Sequence, residues 1–143
     1  MPRLLTALLP LALFTVATTV ASAAPWRVQE RVNRTERLSN TLRNGFEREI
    51  RDYGWAKLRA GTEAKLRVRR LDESMETLRR EASDKHPLRG RDTVVAVVSR
   101  ARAVDAIFRA HREFSSTERL RWRRLKTEIN ALARIYDVRS RVG

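Results

Sequence analysis

The chain has no cysteine and only two histidines. Without cysteine it can form neither a disulfide nor a thiolate metal site, so its stability has to come from the packing of its core. Neither His86 nor His111 belongs to a metal-ligand spacing such as Glu-x-x-His. The sequence therefore gives zinc, copper and haem sites little support, and we expect no metal and no cofactor.

Glycine and proline are also scarce, and catalytic motifs are absent. Five glycines and four prolines form no glycine-rich phosphate loop. There is no G-x-S-x-G and no Ser-x-x-Lys, and helix capping accounts for Ser115 and Ser116. The clustered carboxylates at 47–49 and 72–76 are interleaved with arginine or lie at exposed helical positions. We therefore predict that the protein is not an enzyme.

Acidic residues are few beside basic ones. The chain has 17 acidic and 31 basic residues, a formal net charge of +14. Nearly all the basic residues are arginine, whose guanidinium group binds phosphate and carboxylate in a bidentate manner. A charge of this size attracts anionic surfaces.

Long apolar runs are absent too, with one exception at the N-terminus. Arg3 is followed by the uncharged run Leu4–Val20 and then by Ala21-Ser22-Ala23, the small-x-small pattern that signal peptidase cleaves. We predict that residues 1–23 are a signal peptide cut after Ala23, and that the mature protein is periplasmic or extracellular. The alternative is an uncleaved anchor, but a spanning helix needs about 20 apolar residues.

Apolar residues recur every three or four positions through the rest of the chain, which predicts amphipathic helices. The helices are expected at about 26–52, 55–83, 93–114 and 116–138. Short connections between four such helices predict an all-α fold, an antiparallel four-helix bundle formed by one domain over residues 24–143. The second helix has the most regular stripe, made of Ala64, Val68, Leu71, Met75, Leu78 and Ala82.

The boundary between the first two helices has two possible interpretations. Gly54 can end the first helix and turn the chain. Alternatively, one continuous helix crosses both segments, because Ile50, Tyr53, Ala60 and Ala64 nearly continue the stripe. A continuous helix would need a partner chain to bury its apolar face, which corresponds to an obligate coiled-coil dimer with a structural role. We favour the break.

The remaining helix boundaries carry local signals. Pro87 and Gly90 mark a loop, and Asp92 or Thr93 is the expected cap of the third helix. Ser115 and Glu118 have the spacing of a capping box at the start of the fourth helix. The fourth helix is expected to fray after Val138 into a short basic tail.

An antiparallel bundle brings several aromatic residues to one end. We predict that they form an end cluster, which we interpret as core rather than as a ligand pocket. The predicted members are Tyr53, Trp55, Phe114 and Trp122.

The C-terminal half contains Val104-Asp105-Ala106-Ile107-Phe108-Arg109, then Trp122-Arg123-Arg124-Leu125, Glu128-Ile129-Asn130, Leu132-Ala133-Arg134 and Tyr136-Asp137-Val138. Over about residues 94–138 this pattern resembles a group of small secreted all-helical proteins of soil bacteria. The resemblance implies a secreted helical fold and no particular activity.

The basic residues are the remaining candidate for a functional surface. Arg119, Arg123 and Lys126 share one face of the fourth helix, and an anionic envelope component or a protein client is the expected partner. Further candidates for this surface are Arg121, Arg124, Lys85, Arg89 and Arg91. The alternative is a helical bundle with an enzymatic or small-ligand pocket at the aromatic end. Because a signal peptide directs the protein out of the cytosol, we do not expect it to bind cytosolic nucleic acid.

Overall fold

The computed structural model describes residues 25–54, 59–82, 85–86 and 88–143, with side chains described from residue 27 onward. This part of the chain is all-α. It contains four helices and no β-strand: α1 (Pro25–Asp52), α2 (Arg59–Glu81), α3 (Arg91–Ala110) and α4 (Ser116–Ile135). The predicted signal peptide, with its cut after Ala23, lies outside the described residues.

Each helix packs against the next along the chain, and α4 packs against α1, so the four helices form a square. The ion pair between Arg43 and Asp72 joins α1 to α2, and that between Arg31 and Glu128 joins the start of α1 to the later part of α4. Glu47, one turn later on α1, contacts Arg69, which lies earlier on α2, so these two helices run in opposite directions. The predicted antiparallel four-helix bundle is confirmed.

Gly54 ends the first helix, as predicted. Its backbone has φ +70° and its amide donates to the Arg51 carbonyl. This left-handed conformation suits glycine because it has no Cβ. α2 then packs back against α1, so one continuous helix through both segments is ruled out.

Four helix boundaries differ from the sequence prediction, the first being the end of α2 at Glu81 rather than 83. α3 starts at Arg91, and Gly90 occupies the N-cap position instead of the predicted Asp92 or Thr93. The Thr93 hydroxyl donates to Glu81 Oε2 at 2.6 Å. α3 ends at Ala110 rather than 114, and α4 at Ile135 rather than 138. α2 is described only from Arg59, because residues 55–58 lie outside the described part.

The capping box at the start of α4 is only half formed. Ser115 Oγ accepts from the Glu118 amide at 3.3 Å, as expected. The Ser115 amide, however, donates to Glu49 Oε1 of α1 at 2.6 Å, because Glu118 is paired with Arg121. The cap therefore also anchors α4 to the end of α1.

The core follows the apolar stripes. Every member of the α2 stripe is buried, and Phe46, Phe108, Phe114 and Trp122 form a contiguous aromatic cluster. The Phe108 and Trp122 rings stack with centroids 5.7 Å apart and planes 2° apart. These rings fix the spacing of α1, α3 and α4 around the site described below.

Candidate functional site

The basic residues predicted on α4 separate into two groups. Arg119, Arg123 and Lys126 line a cleft between α3 and α4, as their shared helical face predicts. Arg121 and Arg124 lie on the same helix outside this α3–α4 cleft. Arg121 is paired with Glu118, whereas Arg124 is exposed and has no ion pair within the described residues.

The other predicted basic residues lie at the opposite end of the bundle. Lys85 and Arg89 are exposed on the connection between α2 and α3, next to the exposed side chain of Leu88. Arg91 begins α3, and its guanidinium donates to the Asp137 carbonyl at 3.1 Å. The structure therefore does not bring these three residues together with those on α4.

The α3–α4 cleft has a volume of about 310 Å³. Four of its side chains are cationic and only one, Asp105, is anionic. The stacked rings of Phe108 and Trp122 form part of its lining. Arg109 of α3 also lines the cleft, although it is not among the basic residues predicted from the sequence. It lies four residues after Asp105 on the same helix, a spacing that favours an ion pair and could have identified it.

Arg119 holds the turn between α3 and α4. Its guanidinium donates to the carbonyls of Phe108, His111 and Phe114, at 3.2, 2.7 and 3.1 Å. Carbonyls at the end of a helix have no partner within the helix, so an arginine here replaces the missing donors. Arg119 is therefore both a cleft residue and a structural element.

Asp105 organises the cleft from a buried position. Its Oδ1 accepts from Trp122 Nε1 at 2.8 Å and from Lys126 Nζ at 3.3 Å, and its Oδ2 contacts Arg109 Nη2 at 2.5 Å. Burial raises the pKa of this carboxyl group, but the hydrogen bonds from Trp122 and Lys126 and the charges of Lys126 and Arg109 outweigh that effect. The net pKa is lowered, so Asp105 is ionised and fixes both cations.

Arg123 is the cleft cation with the most freedom. It is exposed and has no ion pair within the described part of the chain. All its guanidinium donors remain available to a ligand, in contrast to those of Arg119, Arg109 and Lys126.

The two acidic residues of α4 face α1 rather than solvent. Glu128 contacts Arg31 at 3.0 Å and Arg34 at 3.6 Å, and the buried Glu118 is paired with Arg121. The exposed charges of α4 are consequently all positive. We call them the α4 basic face: Arg123, Arg124 and Arg134.

α4 gives way to a non-helical tail, as predicted, but the helix ends at Ile135 and the tail packs against the bundle. Val138 and Val142 are buried, and the Asn130 side chain binds both the amide and the carbonyl of Val142, at 2.9 and 3.1 Å. Lys126 Nζ donates to the Gly143 carbonyl at 2.8 Å. The tail therefore reaches the side of Lys126, where it borders the α3–α4 cleft.

The predicted aromatic end cluster is only partly correct. Phe114 and Trp122 are buried, but the Tyr53 side chain is 69% exposed and Trp55 lies outside the described residues. Tyr53 is the last residue before Gly54, and none of the described helices covers it there. A cleft of about 90 Å³ lies between Tyr53 and Phe114, far below the roughly 300 Å³ at which ligand pockets begin.

Within the described residues, no group of three or more histidine, cysteine or acidic side chains is placed to hold a metal. One carboxylate of each acidic cluster noted in the sequence forms an ion pair: Glu47 contacts Arg69 at 2.6 Å and Asp72 contacts Arg43 at 2.7 Å. His111 lies edge-on to the Phe114 ring.

None of the helices in the described ranges is both long and apolar enough to cross a bilayer. Comparison of the chain with protein-family models, with curated proteins and with solved structures finds no match.

Proposed function

We propose that this is a non-enzymatic protein, exported by a cleaved signal peptide, that binds an anionic lipid surface of the cell envelope through the α4 basic face. The observation that supports the proposal is the orientation of the charges on α4. Both acidic residues of the helix are paired on the side facing α1, which leaves Arg123, Arg124 and Arg134 as its exposed charges.

The α4 basic face differs from the exposed side of α2, the helix at the opposite corner of the bundle. On α2 the exposed residues mix signs, because Glu73 and Glu76 lie among Arg69, Arg79 and Arg80. A surface with interspersed signs has a weak field, whereas a surface of one sign attracts anionic headgroups by about 1 kcal/mol for each Lys or Arg close to them.

A protein client is the second partner class consistent with a basic surface. An extended single-sign face favours the lipid surface, because headgroup charges are distributed evenly and need no matching shape. Exposed Leu120, on the same helix, adds an apolar contact for the interfacial region.

The proposal is tested by co-sedimentation of the purified exported protein with vesicles of phosphatidylglycerol and of phosphatidylcholine. We expect binding to the anionic vesicles at low salt and its loss near 1 M salt, where the Debye length falls to about 3 Å. Phosphatidylcholine vesicles should leave the protein in the supernatant. Failure to bind phosphatidylglycerol at low salt would overturn the proposal.

The variants used with these vesicles have to avoid the structural cations. Arg119 closes the α3–α4 turn and Lys126 holds both Asp105 and the C-terminal tail. Reversing their charge would change the fold together with the surface. Arg123 and Arg124 are exposed and unpaired within the described residues, so they are the informative positions.

A further inference from the structure

We propose that the α3–α4 cleft is a discrete binding site for a phosphomonoester group, with Arg123 as its free donor and Arg109, Arg119 and Lys126 as donors already held in position. The inference rests on the proposed function and deepens it, because it names the anionic group that this basic surface selects. It is carried by the geometry of one cavity, not by the charge of the whole protein.

Two of the cleft cations have N–H donors that form no hydrogen bond within the described residues. A guanidinium group has five N–H donors, and Arg119 uses three of them on the carbonyls of the turn. An ammonium group has three, and Lys126 uses two of them, on Asp105 and Gly143. Both side chains therefore retain unused donors while their heads are fixed.

Three of the four cleft cations are held in position before a ligand binds. Immobilising a long side chain on binding costs free energy, because the side chain loses its rotamer freedom. Arg119 is already ordered by the turn, and Arg109 and Lys126 are ordered by the buried carboxylate of Asp105. A ligand entering the cleft has to order only Arg123.

The side chains that line the cleft carry an excess of positive charge. Arg109, Arg119, Arg123 and Lys126 stand against the single carboxylate of Asp105. Both oxygens of that carboxylate already accept from neighbouring side chains, so Asp105 acts as a positioning residue and leaves an excess of positive charge. The buried Phe108 and Trp122 rings exclude water from one side, which strengthens these interactions.

The ligand class follows from the arrangement of donors. A phosphomonoester carries a charge between −1.5 and −2 at neutral pH and three strong acceptor oxygens. These oxygens point in different directions and can accept from donors on both α3 and α4. A carboxylate has two coplanar oxygens, which suit a single arginine fork. A cavity of about 310 Å³ admits a phosphate with a short headgroup.

The test is titration calorimetry of the purified exported protein with inorganic phosphate and with glycerol phosphate. We expect saturable binding of glycerol phosphate. Arg123→Glu should weaken that binding roughly tenfold or more, since a charged hydrogen bond contributes about 1.5–3 kcal/mol. Arg79→Glu is the matched control, because it makes the same charge change at an exposed arginine of α2 outside the cleft, and it should change affinity less than about twofold.

Two results would overturn the inference: no saturable binding of glycerol phosphate, or equal weakening by Arg123→Glu and Arg79→Glu. Circular dichroism of both variants checks that they remain folded. If phosphate does not bind but the protein still pellets with phosphatidylglycerol at low salt, the cleft inference fails while the proposed function stands.

Vesicles of phosphatidate, a monoester, and phosphatidylglycerol, a diester, at matched surface charge separate the two sources of the ligand. Stronger binding to phosphatidate that is lost in Arg123→Glu identifies a lipid headgroup. Equal binding to both vesicles, together with saturable glycerol phosphate binding, identifies a free phosphate ester. Both results support a phosphomonoester site.

Discussion

Asp105 and Glu118 are buried carboxylates whose pKa values shift in opposite directions. Burial raises the pKa of both groups. At Asp105 three donors on α3 and α4 outweigh burial. At Glu118 burial raises the pKa most, the Arg121 charge lowers it, and the nearby Glu49 charge raises it further. Its Oε2 has no hydrogen-bond partner among the described residues. The number of donors around each oxygen therefore decides the sign.

Replacing Asp105 by asparagine should destabilise the protein at pH 7 by about 2 kcal/mol, because charge-assisted hydrogen bonds are lost. The folded-state pKa of Asp105 lies below its ordinary value of 3.8. Its contribution is therefore complete above pH 3.8 and is lost as the pH falls through the folded-state pKa. Thermal unfolding should show the two proteins converging at strongly acidic pH. A constant gap across the pH range would contradict this account.

Replacing Glu118 by glutamine should have the opposite effect. The pKa of Glu118 is raised above 4.5 in the folded state, so its contribution is complete below pH 4.5 and is lost as the pH rises through the raised value. At pH 7 the neutral glutamine should therefore raise stability, because it replaces a buried carboxylate whose charged form is disfavoured. Below pH 4 the variant and the parent should unfold alike. A variant less stable at pH 7 would show that the Arg121 pair outweighs burial.

At the scale of helices, Gly45 lies inside α1 where α4 packs against it. In the structure a Cβ at this position would collide with the Glu118 and Arg121 side chains. Glycine therefore leaves room for the ends of these two side chains, although it lowers the helix propensity of α1.

Gly45→Ala tests this contact. In an exposed helix the change would stabilise by about 0.5–1 kcal/mol. Here we expect a loss of about 1 kcal/mol, because the Glu118–Arg121 pair has to move. Asn44→Ala, at the neighbouring exposed position, is the control and should stay within about 0.5 kcal/mol of the parent in urea unfolding. A gain in stability for Gly45→Ala would show that the two side chains move aside without cost.

Local sequence patterns predict most of the bundle but not its distant contacts. The α2 stripe, the break at Gly54 and the Ser115 cap follow from spacing and conformational preference. The docking of the tail depends on Asn130 meeting Val142 across a turn, which has no periodic signal. The shared face of the α4 cations is predictable, whereas the carbonyl partners of Arg119 become visible only when the end of α3 is in place.

For the whole molecule, the proposal links charge to export. The chain carries a net charge of +14, to which the predicted leader contributes Arg3. If the protein is exported as proposed, a charge of this size attracts it to anionic envelope surfaces. The lipid proposal thus depends on processing of the leader as well as on the α4 basic face.

Export has a direct test in the mass of the product from an expressing bacterium. We expect the exported form to begin at Ala24. Ala23→Arg should block cleavage, since the last leader position requires a small residue. Ser22→Arg is the control and should be processed normally, because the middle position of the pattern is unrestricted. A full-length product from the unaltered chain would contradict the cleaved leader and favour the uncleaved anchor.

The most direct measurement of the central claim compares two double variants on phosphatidylglycerol vesicles at low salt. Arg123→Glu with Arg124→Glu reverses the α4 basic face, and Arg79→Glu with Arg80→Glu makes the same charge change on α2, at the opposite corner. We predict that the α4 variant binds at least about tenfold more weakly than the α2 variant, at about 1 kcal/mol for each arginine near the lipid. Equal weakening would show that net charge alone drives binding, and would contradict a lipid-binding face on α4.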